Sequence, residues 1–398
     1  MLRLTASALI LALLTPSPLA AQAVEPAAQG VTTVPMTAQD ALDGYYRSLA
    51  RVVDLPRAGR GVDADSNLVL TRFAFGSCFS EIRDAGIWNT IARTDPQMFM
   101  MIGDNVYGDT NWRGDAELGT LRASYAKLAS LPQFTAFYDQ VPFLTTWDDH
   151  DYGFNDGGRD FAFRGWAETI YENFWNSPDE VRGRPGVHYS RIFGPEGQRV
   201  QVILLDTRYF RSPLVRAEVA PGQPRPPLGP YVPDTSADAD MLGAEQWAWL
   251  AEELAKPADL RLVVSSIQVL TDAHQFESWA TMPGERDRLY RLLAARNGGG
   301  VLLMSGDRHA GGVYQDAPAA FGGQPLWEIT SSSLNFAFSD TATNTAREPD
   351  PRRVTDFISE ANFGLVEIDW RRRELRLELR GREGEVRTTQ TVGWSAAN

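Results

Sequence analysis

The feature that most constrains the fold is a series of seven short apolar segments, most of them directly followed by Asp, His, Arg, Asn or Ser. The segments are residues 68–75, 98–102, 141–147, 200–205, 260–266, 300–304 and 327–330. Their lengths and apolar character are typical of buried strands, and helical patterns lie between several of them. The alternation predicts an α/β protein, in which ligands bind beyond the carboxyl ends of the strands.

Three further patterns complete the predicted framework. Residues 39–53 read as an amphipathic helix, and residues 364–369, 374–380 and 386–391 alternate in the manner of an antiparallel meander. Residues 213–240 are rich in Pro, Gly and Asp. A loop of that length is either disordered or covers a site.

The N-terminus predicts export. Residues 1–23 carry one charge (Arg3), an apolar stretch at 8–14 and a small-residue end, Ala21-Gln22-Ala23. This pattern indicates a cleavable Sec-type signal peptide and therefore a periplasmic or secreted protein. Because the apolar stretch is far shorter than the ~20 residues of a spanning helix, no membrane span is expected.

Composition excludes some classes of partner. The chain is 43% hydrophobic and 22% charged, as in ordinary soluble globular proteins, and its net charge is −13. Such a charge is unfavourable for a phosphate-backbone binder, so no nucleic-acid-binding surface is expected. Anionic substrates would be repelled unless cations bound at the site reverse the local charge. The sequence does not indicate an oligomeric state.

Cys78 is the only cysteine, and it follows the first apolar segment in Gly76-Ser77-Cys78. A single cysteine outside the cytoplasm cannot form an internal disulfide. It is a buried small side chain, a reactive thiol, an intermolecular link or a metal ligand.

Three later clusters carry candidate ligands. Gly103-Asp104-Asn105-Val106-Tyr107 follows the second segment, Asp148-Asp149-His150-Asp151 follows the third, and Ser305-Gly306-Asp307-Arg308-His309 follows the sixth. Singly, each is also compatible with a turn, a solvated acidic loop or a capped loop. Together, carboxylates, imidazole, phenolate and thiolate favour a hard, highly charged ion beside a divalent one. Two such ions would clamp a phosphoryl oxygen.

These motifs resemble the alkaline phosphatase D (PhoD-like) family of binuclear metallophosphoesterases. The resemblance rests on Gly103-Asp104-x-x-Tyr107, Asp149-His150 and Gly306-Asp307-x-His309, with Gly76-Ser77-Cys78 upstream. It implies a four-layer αββα sandwich of two mixed β-sheets flanked by helices. The implied domain spans residues 67–398, after a signal peptide at 1–23 and an N-terminal extension with one helix at 24–66.

The resemblance also implies roles for individual residues. The implied ligands of a ferric ion are Cys78, Asp104, Tyr107 and His309. One or two further divalent ions, Ca²⁺ by preference, would be held by Asp104, Asp149 and Asp307. The implied catalytic residues are His150, which would protonate the leaving oxygen, and Arg208 and Arg308, which would meet the phosphate. Further contacts with substrate or second metal are expected from Asn155, Gln268 and His274, whereas His188 is interpreted as structural.

The implied activity is hydrolysis of phosphate esters, with metal-bound hydroxide attacking phosphorus. Three alternatives remain open. The first is a phosphodiesterase or phospholipase D-type hydrolase that acts on lipid or cell-wall phosphodiesters. The second is a non-catalytic metal- or ligand-binding protein, and the third is a hydrolase with Cys78 as nucleophile.

Overall fold

Two six-stranded mixed β-sheets form the framework of the protein in the computed structural model, which describes residues 38–220, 222–224, 226–337 and 348–395. The predicted signal peptide and residues 24–37 lie outside the described residues. Among the helices that are described, none is long and apolar enough to cross a membrane.

The first sheet combines three parallel strands with the C-terminal meander. Its strands, numbered in chain order, are β1 (Arg72–Gly76), β2 (Phe99–Ile102), β3 (Phe143–Thr146), β10 (Asn362–Asp369), β11 (Glu374–Gly381) and β12 (Val386–Gly393). They lie in the order β12-β11-β10-β1-β2-β3. Since β1, β2 and β3 are parallel, their carboxyl ends lie at the same edge.

The second sheet has four parallel strands between two antiparallel edge strands. Its members are β4 (Tyr189–Phe193), β5 (Val200–Leu204), β6 (Leu260–Val264), β7 (Gly300–Ser305), β8 (Gly311–Asp316) and β9 (Leu326–Ser331). Their order is β4-β5-β6-β7-β9-β8. Strands β5, β6, β7 and β9 run parallel, so their carboxyl ends also share one edge.

Helices cover the outer faces of the two sheets. They are α1 (Ala38–Leu49), α2 (Ile87–Ala92), α3 (Gly119–Ala129), α4 (Pro132–Tyr138), α5 (Asp149–Tyr152), α6 (Arg164–Trp175), α7 (Asp179–Arg182), α8 (Gly243–Ala255) and α9 (Pro283–Ala294). In α1, the ring of Tyr46 stacks on Trp166 of α6 with centroids 5.4 Å apart. The helix of the predicted N-terminal extension thus packs on the body of the protein.

Alternate residues of the second sheet show how the layers are arranged. Leu262 and Val264 of β6 belong to the large apolar core shared with the first sheet, whereas Val263 belongs to a second core with residues of α8 and α9. Side chains alternate across a strand, so one face of this sheet meets the first sheet and the other meets helices. The predicted sandwich of two mixed sheets flanked by helices is therefore confirmed.

The strand predictions from sequence are confirmed except at two edges. The apolar segments correspond to β1, β2, β3, β5, β6, β7 and β9, and the meander corresponds to β10, β11 and β12. Strands β4 and β8 were not predicted. They contain Ser190 and Arg191, and Gly311 and Gly312, respectively, which weaken the apolar signal of an edge strand.

Candidate metal centre

The carboxyl ends of the two sheets bring six predicted ligands together. Cys78 follows β1, Asp104 and Tyr107 follow β2, Asp149 follows β3, and Asp307 and His309 follow β7. We call these six residues the ligand cluster. The loops approach so closely that a Cβ atom at Gly306 would lie 2.4 Å from the Oγ of Ser77. Only glycine permits this approach of the second sheet to the first.

The backbone at the ligand cluster is unusual. Four of its residues have a left-handed φ: 58° at Cys78, 48° at Asp104, 66° at Asp307 and 53° at His309. Non-glycine residues adopt this region rarely and at an energetic cost, and such residues concentrate at functional sites. The sharp turns that follow β1, β2 and β7 therefore aim these side chains at one point.

Cys78, Asp104, Tyr107 and His309 surround one position. The Sγ of Cys78 and the Oη of Tyr107 lie 3.2 and 3.3 Å from the Oδ2 of Asp104. The Oη of Tyr107 lies 3.4 Å from the Nε2 of His309. One sulfur, one nitrogen and two oxygens thus converge, a mixed set that suits a transition metal such as iron.

The hydrogen bonds of His309 fix which ring nitrogen is available. Its Nδ1 contacts the carbonyl oxygen of Phe336, which can only accept, so Nδ1 carries the proton. Burial lowers the pKa of His309 to about 4 and keeps the ring neutral. The Nε2 lone pair consequently faces the ligand cluster, as in a metal-bound histidine whose other nitrogen is hydrogen-bonded.

Asp104 is shared between groups of potential ligands. Its carboxylate lies within 4.8 Å of ligand atoms of Cys78 and His309, and also within 4.8 Å of those of Asp149 and Asp307. A carboxylate with two oxygens in such a position suits a bridge between two cations. Asp149 and Asp307 supply the oxygen ligands of the second position.

The charge of the cluster fits bound cations. Burial raises the pKa of Asp104 and of Asp307, and for Asp307 the neighbouring Asp148 and Asp149 raise it further. Asp148 adds an Oδ2 atom that is buried without a hydrogen-bond partner among the described residues. Buried carboxylates are stable in ionised form only beside compensating positive charge. The donor set therefore fits metal ions.

The structure favours Cys78 as a metal ligand over Cys78 as a reactive free thiol. The residue is fully buried, and burial together with Asp104 raises the pKa of its thiol. Its side-chain hydrogen bonds are to Asp104, Ser77 and Ser332, and none of these partners is a histidine, lysine or arginine that would stabilise a reactive thiolate. A cation at the cluster would instead hold it as a thiolate.

His150 lies at the cluster and is held by a carboxylate. Its Nδ1 is 2.7 Å from the Oδ1 of Asp109, so Nε2 is left for other partners. Burial alone would lower the pKa of His150, but Asp149, Asp104 and Asp109 raise it to about 11. Because Asp104 and Asp149 are candidate metal ligands, cations bound to them would bring this pKa back toward neutrality.

A second acidic group lies beside the ligand cluster and contains its own cations. We call Arg208, Arg211, Asp148 and Glu277 the arginine–acid cluster. Arg208 donates from Nε to Asp148 at 2.6 Å and pairs with Glu277, which Arg211 contacts at 2.8 Å. Arg208 is fully buried by these partners. Its guanidinium pairs with two buried carboxylates, and the expected contact of Arg208 with phosphate stays a prediction.

A cavity of about 470 Å³ opens onto the ligand cluster and contains Arg308 and Asn155 among its lining residues. The guanidinium of Arg308 lies 4.2 Å from the ring centroid of Phe276 and pairs with Glu348. A larger cavity of about 650 Å³ lies at the amino-terminal ends of β6 and β7, away from the ligand cluster. None of the groups of potential metal ligands found among the described residues lines this cavity, so volume alone does not locate the site.

The structure does not support the expected substrate or metal contacts of Gln268 and His274. The two side chains bond to each other, with Nε2 of His274 3.0 Å from Oε1 of Gln268, and both are buried. The Nδ1 of His274 accepts from the backbone N–H of Phe276, so both ring nitrogens are used. His188 is buried, and burial and Arg184 lower its pKa to about 2, as suits a structural residue.

Sequence reasoning missed several residues of the site. They are Asp109, Asp156 and Glu277, which contact or neighbour residues of the two clusters. Asp148 stood in a candidate cluster without a role of its own. Asp109 lies two residues after Tyr107 and could have been found by extending that motif. Glu277 arrives from a loop after β6 that shares no motif with the others, so only the fold reveals it.

Part of the chain matches a known protein family. The family model described as "PhoD-like phosphatase" matches residues 182–379, which include Asp307 and His309 and follow Cys78, Asp104 and Asp149 in the chain. Residues 182–379 thus resemble the PhoD-like phosphatase family. This likeness supports a phosphoesterase function.

Two relatives extend the comparison. Alkaline phosphatase D of Bacillus subtilis (strain 168) is 23% identical over an alignment of 282 residues, and the alignment covers 62% of this chain and 47% of that protein. The match thus spans about half the length of this curated relative. A solved structure titled "Structure of PhoD" has a TM-score of 0.63 at 18% identity and covers 83% of this chain and 70% of its own. This second likeness supports the PhoD fold.

Proposed function

We propose that this protein is an exported, metal-dependent phosphoric ester hydrolase. Cys78, Asp104, Tyr107 and His309 would hold a ferric ion, and Asp104, Asp149 and Asp307 would hold one or two calcium ions. The observation that carries the proposal is the position of Asp104. Its carboxylate lies within 4.8 Å of ligand atoms on both sides, so one residue can join two cation positions.

Bound at these positions, the ions would act as Lewis acids toward a phosphoryl oxygen and lower the pKa of water at the site. The chain itself supplies the remaining groups. Arg308 lines the cavity and would bind the phosphate charge. His150, oriented by Asp109 at 2.7 Å, would give a proton from Nε2 to the leaving oxygen.

Export is proposed from the sequence of residues 1–23, which has the charge, apolar stretch and small-residue end of a signal peptide. Metal loading would then take place outside the cytoplasm. The test is N-terminal sequencing of protein from the periplasm or medium. We expect a chain that begins after Ala23; intact chains that remain in the cytoplasm would contradict export.

The metal assignment is tested by metal analysis and a visible spectrum of protein as isolated. A phenolate or thiolate bound to ferric iron absorbs strongly in the visible, so we expect a coloured protein that contains iron. Tyr107→Phe should remove or shift this band. Tyr125→Phe is the matched control, because Tyr125 is also buried but bonds Asp151, outside the ligand cluster. A colourless, iron-free and fully active protein would overturn the iron assignment.

The reaction is tested with 4-nitrophenyl phosphate and bis(4-nitrophenyl) phosphate, which share one chromogenic alcohol. We expect release of nitrophenol from at least one of them, and the ratio of the two rates separates a monoesterase from a diesterase. Activity should disappear on chelation and return with iron and calcium. Fully metallated protein that hydrolyses neither compound would favour a binding protein.

A further inference from the structure

Part of the cavity lining comes from residues 213–240, which we call the strap and which contribute Arg216, Pro226 and residues 229–231. Its two ends meet where the N–H of Ser212 donates to the carbonyl of Asp240 at 2.8 Å. Within it, Arg216 and Tyr231 form an antiparallel bridge. The long loop predicted from sequence therefore covers the site as a folded hairpin in its described part.

The strap is attached to the loop that carries Phe276 and Glu277. The N–H of Tyr231 donates to the carbonyl of Gln275 at 2.9 Å, and the Gln275 N–H donates to Leu228 at 2.5 Å. Gly229, with φ at 121°, has no room for a Cβ, which would lie 2.1 Å from the carbonyl carbon of Gln275. These contacts hold the strap residues that line the cavity in a fixed position.

Arg216 is the arginine that the strap contributes to the cavity lining. Its guanidinium carbon lies 5.0 Å from the ring centroid of Tyr231, and its Nη2 lies 3.2 Å from the Tyr231 hydroxyl. That hydroxyl donates to Asp156, so the ring on which Arg216 rests is itself anchored. Arg308, in contrast, already pairs with Glu348. No carboxylate of the described residues lies within 4.0 Å of the Arg216 guanidinium.

The position of Arg216 relative to the ligand cluster suggests what it binds. Asp307 and His309 are half-buried residues of the cavity lining, whereas Arg216 is an exposed residue that lines the same space. A volume of about 470 Å³ is in the range that encloses a whole small ligand, so the alcohol part of an ester would also lie inside. A guanidinium fixed on an aromatic ring binds carboxylate or phosphate oxygens in a defined geometry.

We propose that Arg216 makes this site selective for phosphate esters whose alcohol part carries a second anionic group, a carboxylate or another phosphate. The inference rests on the proposed phosphoric ester hydrolase function. It adds the chemical class of the substrate and assigns the selectivity for that class to one residue of the strap.

The test compares charged and neutral substrates of matched shape. The first pair is 4-carboxyphenyl phosphate and 4-carbamoylphenyl phosphate; the second is 1,4-phenylene bisphosphate and 4-hydroxyphenyl phosphate. Initial release of inorganic phosphate gives kcat/KM for the metallated wild type, Arg216→Gln and Arg216→Lys. Arg371→Gln is the control, since Arg371 is equally exposed but lies in the β10–β11 turn, at the opposite end of the first sheet.

We expect Arg216→Gln to lower kcat/KM about tenfold for the anionic member of at least one pair, the factor for one charge-assisted hydrogen bond. The neutral member should change less than about twofold, Arg216→Lys should fall between, and Arg371→Gln should match wild type. A larger loss with the carboxylate pair or with the bisphosphate pair identifies the preferred anion. Equal losses for charged and neutral members, or no loss at all, would overturn the assignment of Arg216. Wild type that hydrolyses bis(4-nitrophenyl) phosphate but releases no phosphate from any of these four monoesters would also overturn the assignment of Arg216. Wild type inactive toward all four and toward both nitrophenyl compounds would instead refute the hydrolase function.

Discussion

The ligand cluster and the arginine–acid cluster are neighbours, and both bury several carboxylates, but they differ in where the compensating charge comes from. In the arginine–acid cluster, two arginines face two carboxylates. Burial raises the pKa of Asp148 to about 6 and of Glu277 to about 7, and Arg208 opposes both shifts. In the ligand cluster, burial raises the pKa of Asp104 and Asp307 well above the ordinary range.

The difference teaches which cluster is complete within the chain. The arginine–acid cluster carries its own cations, so its carboxylates are already neutralised when the protein folds. In the ligand cluster, the Oδ1 of Asp149 lies 3.9 Å from the Nη2 of Arg208, but no ion pair among the described residues joins an arginine or lysine to Asp104 or Asp307. His150 and Arg208 offset only part of its buried negative charge. The remaining positive charge has to come from outside the chain, and metal ions are the cations that suit sulfur, nitrogen and oxygen donors together.

The strongest test of this comparison is Asp104→Asn. We expect loss of both metals and a fall in kcat/KM of at least about 10³-fold, since the metal contribution amounts to several kcal/mol. The metal-free variant should be no less stable than metal-free wild type, because the amide removes a buried carboxylate that has no arginine or lysine partner. Metal analysis, kinetics and chemical denaturation measure these effects.

Asp206→Asn is the matched control for that experiment. Asp206 is another buried aspartate at a strand end, but its oxygens accept backbone N–H groups of Val187, Arg208 and Tyr209. We expect this variant to lose stability and keep its metals. A metal-free Asp104→Asn protein that is clearly less stable than metal-free wild type would contradict the comparison.

Arg208→Met tests the arginine–acid cluster. Removal of the guanidinium leaves Asp148 and Glu277 buried without their shared cation, so the free energy of unfolding should fall by about 3–5 kcal/mol. Urea denaturation of the metal-free protein measures the change, with the exposed Arg371→Met as control. A loss below about 1 kcal/mol would show that these carboxylates do not depend on Arg208.

The gain in stability on metal binding tests the ligand cluster directly. With free metal at about 100 times its Kd, wild type should gain about 2.7 kcal/mol of unfolding free energy over the chelated protein. Asp307→Asn, which removes one ligand, should gain clearly less at the same metal concentration. Thermal denaturation in chelator and in metal buffer gives both values. An equal gain in the variant would exclude Asp307 as a ligand.

The smallest effect is expected from Asp109→Asn, which changes a residue that orients His150. We expect kcat to fall about tenfold with the metals retained, because the imidazole loses its carboxylate partner. His150→Gln should cost about 10²-fold, and the double variant should be no slower than His150→Gln alone. Independent, multiplying losses would mean that Asp109 does not act through His150.

Sequence predicted the framework because strand ends carry local signals. The apolar runs and the polar residues that follow them identified β1, β2, β3, β5, β6, β7 and β9, and the motif order led to the family. Contacts between residues that are distant in sequence could not be predicted from local patterns. Arg208 follows β5 just as Asp307 follows β7, yet only the packed structure reveals that Asp148 and Glu277 surround it. The same holds for Gln268 and His274, which find each other rather than a ligand.

Cys78, the single cysteine, gives each molecule one sulfhydryl, and that sulfhydryl belongs to the ligand cluster. Oxidation of the site during storage therefore leaves each chain with either one free thiol or none. Alkylation after unfolding adds one tag to an intact chain and none to a chain whose cysteine has been oxidised. Intact mass spectra of stored protein would thus give the fraction of molecules that can still supply a thiolate ligand. This fraction is obtained independently of any assay of turnover.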